Sequence, residues 1–348
     1  MTVKTAALIF ALLASAYEST AMADSYPLFR DDGTLDLVIE VPMSTLHREA
    51  DQNPVLPGFL RYVDADGNEI TLDIELTTRG RSRLKYCQFP PLSITIVQKQ
   101  PETTLFAGQG KLKIGTHCRK GAQFVDYLEQ EFGIYQAYRQ LTDYSFRVRK
   151  LRITYRDIEN KRKDEIHPAF FIESVDEAAG RLGMEEIKSP KIRVSQLDAE
   201  QTSISGLYQY LIANTDWDIT KGPGSEDCCH NGKLVGRPGT QENWVVLPYD
   251  FDQAGLINTG YAMPSPALGI RSVRTRLYRG ECRYNDRLDE TIALFNARRG
   301  QIESTLVPES LSPSTRKSAM KYIGEFYSTI NDTEKRKKHI ESACLKGG

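Results

Sequence analysis

The chain lacks a surplus of either charge, a long apolar run beyond its first residues, and any glycine-rich phosphate loop. Its 348 residues carry 45 Lys and Arg against 46 Asp and Glu, a formal charge of −1. Broad, sequence-independent binding of nucleic acid needs a clear cationic excess, so that class of function is excluded. After the N-terminal segment no stretch is long and uncharged enough for a stable membrane span, which takes about 20 residues. Neither G-x-x-x-x-G-K-[ST] nor G-x-G-x-x-G occurs, and the nearest approach, Ala107-Gly108-Gln109-Gly110-Lys111, reads as a hairpin turn. The missing G-x-S-x-G leaves no recognisable serine-nucleophile elbow. No internal repeat is present.

What is there starts at the N-terminus. Lys4 precedes an apolar run over residues 6–16, and Ala21-Met22-Ala23 places small residues at the two positions a signal peptidase reads. Residues 1–23 are therefore expected to be a cleaved signal peptide, with the chain periplasmic or secreted. No cysteine sits at the cut, so a lipoprotein is not expected. All six cysteines (Cys87, Cys118, Cys228, Cys229, Cys282, Cys344) follow it, and an even count in an oxidising compartment predicts disulfides. Cys87 with Cys118 is the first expected pair, because both flank strands of one region. A zinc site at Cys228-Cys229-His230 is the competing reading, although the two-residue spacers of zinc knuckles are missing.

The first half alternates as β-strands do. Leu35, Leu37, Ile39 and Val41 form one set, Ile70, Leu72, Ile74 and Leu76 a second, and Leu92, Ile94 and Ile96 a third. Asp64-Ala65-Asp66-Gly67-Asn68 loosely suggests a calcium loop, but its glycine is misplaced and an Asp-Gly turn is expected. Phe124, Leu128, Phe132, Tyr135, Tyr138 and Leu141 then make one helical stripe. Strands follow over 146–155 and 169–173, joined by a charged hairpin tip at 157–165. The second half reads as mostly helical. Ser195 and Asp198 mark a helix start, and Ile204, Leu207, Tyr208, Leu211 and Ile212 its buried face. A Gly/Pro stretch at 221–224 breaks the chain before a short strand at 244–247. Later helices run through Leu288, Ile292, Phe295 and Ile302, and through Met320, Ile323, Phe326 and Ile330. Two lobes around a cleft are expected.

The segment most informative about chemistry is Asn214-Thr215-Asp216-Trp217-Asp218, followed by Asn231 and then Asp250-Phe251-Asp252. A hydrophobic helix ends in Asn and Asp, and an apolar strand later ends in Asp as well. Carboxylates at the tips of buried elements are held rigidly and can converge on one cation. Magnesium takes one or two carboxylates and completes its octahedron with phosphate oxygens and water. Phosphoryl transfer needs that arrangement plus an Asp that accepts the proton of the attacking hydroxyl.

These residues resemble the spore-coat protein H (CotH) kinase-like family of atypical secreted kinases. Thr78-Arg79-Gly80-Arg81-Ser82 looks like that family's arginine-glycine loop, and Phe170-Phe171-Ile172-Glu173-Ser174-Val175-Asp176 resembles its glutamate-x-valine-aspartate strand. The likeness runs from about Leu35 to Leu306. It implies a two-lobed α+β kinase-like fold, with a β-rich N-terminal lobe (24–176) and a mostly helical C-terminal lobe (177–348), and ATP between them. By the same resemblance Asp216 is the catalytic base. Asn231, Asp250 and Asp252 would hold Mg2+ or Mn2+, and Lys113, Arg79 and Arg81 would contact the nucleotide phosphates. Glu131, or Glu129, would pair with Lys113. The acceptor is expected to be a hydroxyl on an exported protein or small molecule. A non-catalytic binding or envelope-assembly protein, and a metal-dependent hydrolase, are the alternatives. Arg271, Arg274, Arg276 and Arg279 read either as a surface for an acidic partner or as an ordinary basic face.

Overall fold

A computed structural model describes residues 26–80 and 82–346. The expected signal peptide, its cleavage site and Arg81 lie outside the described residues.

Seven strands make up the first half: β1 (Leu35–Val41), β2 (Val55–Val63), β3 (Glu69–Thr78), β4 (Leu92–Ile96), β5 (Lys111–Thr116), β6 (Val148–Asp157) and β7 (Glu165–Ile172). They close into a barrel in the order β1-β2-β3-β4-β5-β7-β6. The seam is a parallel pairing that joins β1 to β6 along its whole length, from Leu35 opposite Leu151 to Val41 opposite Asp157. That closure corrects the expectation of a two-lobed kinase-like fold, in which the N-terminal lobe carries a sheet rather than a barrel. The physical reason is the seam itself. Strands more than 100 residues apart remove each other's free edges, and no local pattern announces it.

β2 is a strand that the sequence disguises, because Pro57 and Gly58 interrupt it. Pro57 pairs only toward β3, opposite Glu75, and pairing to β1 begins at Phe59. Gly58 is required by close approach, since a Cβ there would lie 2.1 Å from the Glu40 carbonyl oxygen. The turn between β2 and β3 is the expected Asp-Gly turn, with Asp64 Oδ1 accepting from the backbone N–H groups of Asp66 and Asn68. The charged tip between β6 and β7 is more than a solvated hairpin. Buried Asp157 accepts from the Ser44 hydroxyl at 2.7 Å and from the backbone of Lys161 and Arg162.

β7 shows why a continuous apolar run appears where alternation is usual. Ala169 and Phe171 join the barrel core, whereas Phe170 and Ile172 join the core of the helical half. The second half of the strand, residues 169–172, is buried on both faces. Helices α1 (Met43–Arg48) and α2 (Ser82–Tyr86) belong to barrel connections, and α3 (Ala122–Arg139) lies against β6 and β7. The other helices are α4 (Val175–Arg181), α5 (Ala199–Ile212), α6 (Leu288–Ala297), α7 (Arg299–Leu306), α8 (Pro313–Ile330) and α9 (Thr333–Arg336). The stripe expected to be one helix through Leu288 and Ile302 is two, α6 and α7. The cap of α5 is Asp198, whose carboxylate accepts from the Gln201 N–H at 2.9 Å. A three-stranded sheet of β8 (Glu185–Glu186), β9 (Gly232–Gly236) and β10 (Val245–Pro248) runs in the order β10-β9-β8.

All six cysteines are paired: Cys87 with Cys118, as expected, Cys228 with Cys229, and Cys282 with Cys344. The zinc reading of Cys228 and Cys229 is thereby set aside. Among the described residues, no helix is long and apolar enough to cross a membrane.

Candidate functional site

The polar residues singled out in the sequence approach one another through the ends of α5, β9 and β10. Helix α5 stops at Ala213, whose backbone is left-handed (φ 51°), and the chain turns into Asn214–Asp218. Asp218 and His230 then exchange both backbone hydrogen bonds, at 3.0 and 3.1 Å. The intervening residues 219–229 loop out and return, so Asn231 arrives beside Asp216. In the β9–β10 hairpin Gly232 faces Pro248, and just beyond that pair the Tyr249 N–H donates to the Asn231 carbonyl at 3.2 Å. Asn231 and Asp250 both have positive φ (50° and 63°), the left-handed region that Asn and Asp tolerate better than most residues.

Asp216, Asn231, Asp250 and Asp252 line one cleft of about 380 Å³, together with Arg79, Arg83, His230, Lys233 and Tyr249. The Asp216 carboxylate is held at both oxygens. His230 Nε2 lies 2.8 Å from Oδ1, and Asn231 Nδ2 donates to Oδ2 at 3.0 Å. The hydrogen bond to Asp216 raises the His230 pKa above its ordinary value. The Asp250 backbone N–H donates to the Tyr135 hydroxyl of α3 at 2.9 Å, which anchors the turn to the helical core. Its carboxylate accepts no hydrogen bond within the described residues.

Asp252 is differently placed. It is buried beneath the cleft with Glu131 of α3, and the guanidinium of Arg83 lies 3.9 and 4.0 Å from the two carboxylates. Burial, with Asp250 next, pushes the Asp252 pKa up, and burial does the same to Glu131; Arg83 opposes both. Burial works against the Arg83 charge, yet Tyr261, Glu131, Asp252 and Asp250 hold its pKa above the ordinary value. Arg83 also donates to the Thr116 carbonyl at 2.7 Å.

Glu131 thus faces Arg83 rather than the expected Lys113, and Glu129 takes Lys150 at 2.6 Å. Lys113 extends from β5 over the Tyr249 ring, 4.6 Å from its centroid. Burial, then Arg79 and Lys233, lowers its pKa to about 8. Arg79 lines the cleft, although its guanidinium is committed to the Leu92 and Ile114 carbonyls at 3.0 and 3.3 Å.

Lys113 does not line the polar cleft but a second cavity of about 500 Å³, whose walls include Gly108, Gly110, Ile172, Val175, Glu177 and Lys188. Lys233 and Tyr249 line both spaces, so the cavity and the polar cleft are neighbours. That volume falls within the range of small-molecule sites. Lys233 escaped the sequence reading, yet it follows Asn231 by two residues at the start of a strand, the period that keeps side chains on one face. Arg83 carries no comparable signal, since its partners are 48 and 169 residues away (Glu131, Asp252).

Among the described residues no three His, Cys, Asp or Glu side chains converge closely enough to hold a metal ion. The donors that fit a hard cation are the Asp250 carboxylate and the Asn231 amide oxygen; Asp252, occupied by Arg83, does not. Two such donors suit magnesium, which takes most of its remaining ligands from phosphate and water. Comparison with family models and with curated proteins finds no match.

Proposed function

We propose that the protein binds a nucleotide such as ATP in the larger cavity, with its phosphates toward Lys113 and Lys233, and transfers a phosphoryl group to a hydroxyl. The observation that carries the reading is the meeting of Asp216, Asn231 and Asp250 in one cleft that shares two wall residues with a nucleoside-sized cavity. The resemblance to CotH-like kinases contributes the residue roles and not the fold. Asp216 accepts the proton of the acceptor hydroxyl as its oxygen bonds to the terminal phosphorus and the bond to the leaving nucleoside diphosphate breaks. His230 and Asn231 hold that carboxylate in place. Asp250 and Asn231 would hold Mg2+ or Mn2+, which when bound neutralises charge on the phosphate oxygens. Lys113, with its lowered pKa, and Lys233 orient the phosphates. Export to the periplasm or beyond is part of the proposal, supported by three disulfides that use every cysteine. The acceptor would then sit on an exported protein or small molecule.

A second reading is a binding protein that holds the nucleotide without turning it over. It is favoured by the two partners already occupying both oxygens of Asp216. Thermal unfolding with ATP, with and without Mg2+, tests the shared part of both readings. The expected result is a magnesium-dependent rise in Tm that Asp250→Ala abolishes, and no rise would overturn both. Release of ADP on adding hydroxyl acceptors, lost in Asp216→Asn, separates transfer from binding alone.

A further inference from the structure

The four arginines after the site were expected to form a surface for an acidic partner or an ordinary basic face; Arg271 is exposed, but Arg274, Arg276 and Arg279 turn inward onto backbone carbonyls. Arg276 donates to the Tyr210, Leu211 and Tyr322 carbonyls, at 3.2, 3.2 and 2.7 Å. Arg279 Nη1 donates to the Thr215 carbonyl at 2.5 Å and to the Trp217 carbonyl at 2.7 Å, the two residues that flank Asp216. Its guanidinium also lies 5.5 Å from the Trp217 ring. The neighbouring carbonyls are held by side chains too, Asn214 by the Trp217 indole N–H at 3.1 Å and Asp216 by Asn231 Nδ2 at 2.7 Å. Four consecutive carbonyls of the Asp216 turn therefore take side-chain donors, and a single arginine supplies two of them.

The strap that carries Arg279 is itself fastened. One residue on, the Gly280 carbonyl accepts from the Leu345 N–H at 2.8 Å, and Cys282 is bonded to Cys344. The C-terminal tail thus pins the strap that pins the turn.

We propose that Arg279 is a positioning residue for Asp216, fixing the direction of its carboxylate by clamping the backbone on both sides. The inference rests on the phosphoryl-transfer reading only for what Asp216 does, not for how it is held. Arg279 is half-buried, and the two N–H groups of its Nη1 are fixed in direction by the planar guanidinium; a lysine ammonium holds two carbonyls less rigidly and a leucine not at all.

The test is hydrogen exchange of peptides covering residues 213–218, in the wild type, Arg279→Lys and Arg279→Leu. Exchange is expected to quicken about tenfold or more in Arg279→Leu and less in Arg279→Lys. Arg271→Ala, an exposed neighbour, should match the wild type. Unchanged exchange at the turn in both Arg279 variants would overturn the proposal. If Arg279→Leu fails to fold, Arg279→Lys reads the same comparison. In a transfer assay the nucleotide KM should stay within about twofold while kcat falls by about tenfold to a hundredfold. A KM rise equal to the kcat loss would contradict positioning. Quickened exchange in a chain that turns over no ATP would uphold the clamp and remove the transfer reading, so the two failures are distinct.

Discussion

Around the barrel, backbone pairs with backbone from strand to strand, and the seam from Leu35 to Val41 is continuous. Across the cleft, the carbonyls of residues 214–217 accept from Trp217, Arg279 and Asn231 side chains, and the flanking turns pass through left-handed residues. The barrel spreads its stability over many equivalent contacts. The cleft concentrates its geometry in a few side chains, each replaceable only at the cost of the site. Substitutions should therefore separate cleanly, with large stability losses in the barrel and functional losses without unfolding at the cleft.

The largest effect is expected from Phe171→Ala, which empties a fully buried ring from the barrel core and should cost about 3–5 kcal/mol. Asp216→Asn, half exposed at the cleft, should cost under about 1 kcal/mol while abolishing transfer. Denaturant unfolding of the two variants checks the contrast, and equal losses would break it. Arg83→Met comes next, because it strips a buried cation from Glu131 and Asp252, at about 3 kcal/mol near neutral pH. Burial has already raised both carboxylates, so the penalty should shrink as falling pH protonates them. A penalty that grew in acid would contradict the cluster as described.

His117 gives a smaller, graded effect within the barrel. Its ring is buried and stacked 3.7 Å from His167, with Glu165, Arg83 and Lys120 around it. Burial first, then His167, holds its pKa down to about 3. The unfolded chain, with an ordinary imidazole, binds the proton more readily between that value and about 6.5. Stability from His117 is therefore complete above about pH 6.5 and is lost as pH falls, by about 2 kcal/mol at pH 5. His117→Leu should flatten that part of the pH–stability curve. The smallest effect belongs to Arg152→Ala, which removes an exposed pair with Asp36 on the outer barrel wall and should change stability by about 0.5 kcal/mol or less.

Legibility followed the range of the interactions. Strands β1, β3 and β4 alternate cleanly, and α3 carries a regular stripe, so local periodicity announced them. β2 was hidden because Pro57 and Gly58 look like a break until Glu40 is known to pass within contact of Gly58. The parallel seam of β1 and β6 has no local signature, which is why two lobes were expected where a closed barrel stands. At the site, Asp216, Asn231 and Asp250 were visible as polar caps on apolar elements. The partners of Glu131 were not, since Arg83 is brought to it by a connection outside any periodic element. The inward clamps of Arg276 and Arg279 were equally invisible, because a row of arginines reads the same whether it faces solvent or carbonyls.

In the proposed reading, Asp250 and Asn231 form the cation end of a nucleotide site. Crystals grown with Mn2+ and a non-hydrolysable ATP analogue test it directly through the anomalous signal of the metal. One strong peak is expected, bonded to the Asp250 carboxylate and the Asn231 amide oxygen, with phosphates reaching toward Lys113. A nucleotide bound elsewhere, or manganese absent from that pair at saturating concentration, would contradict it.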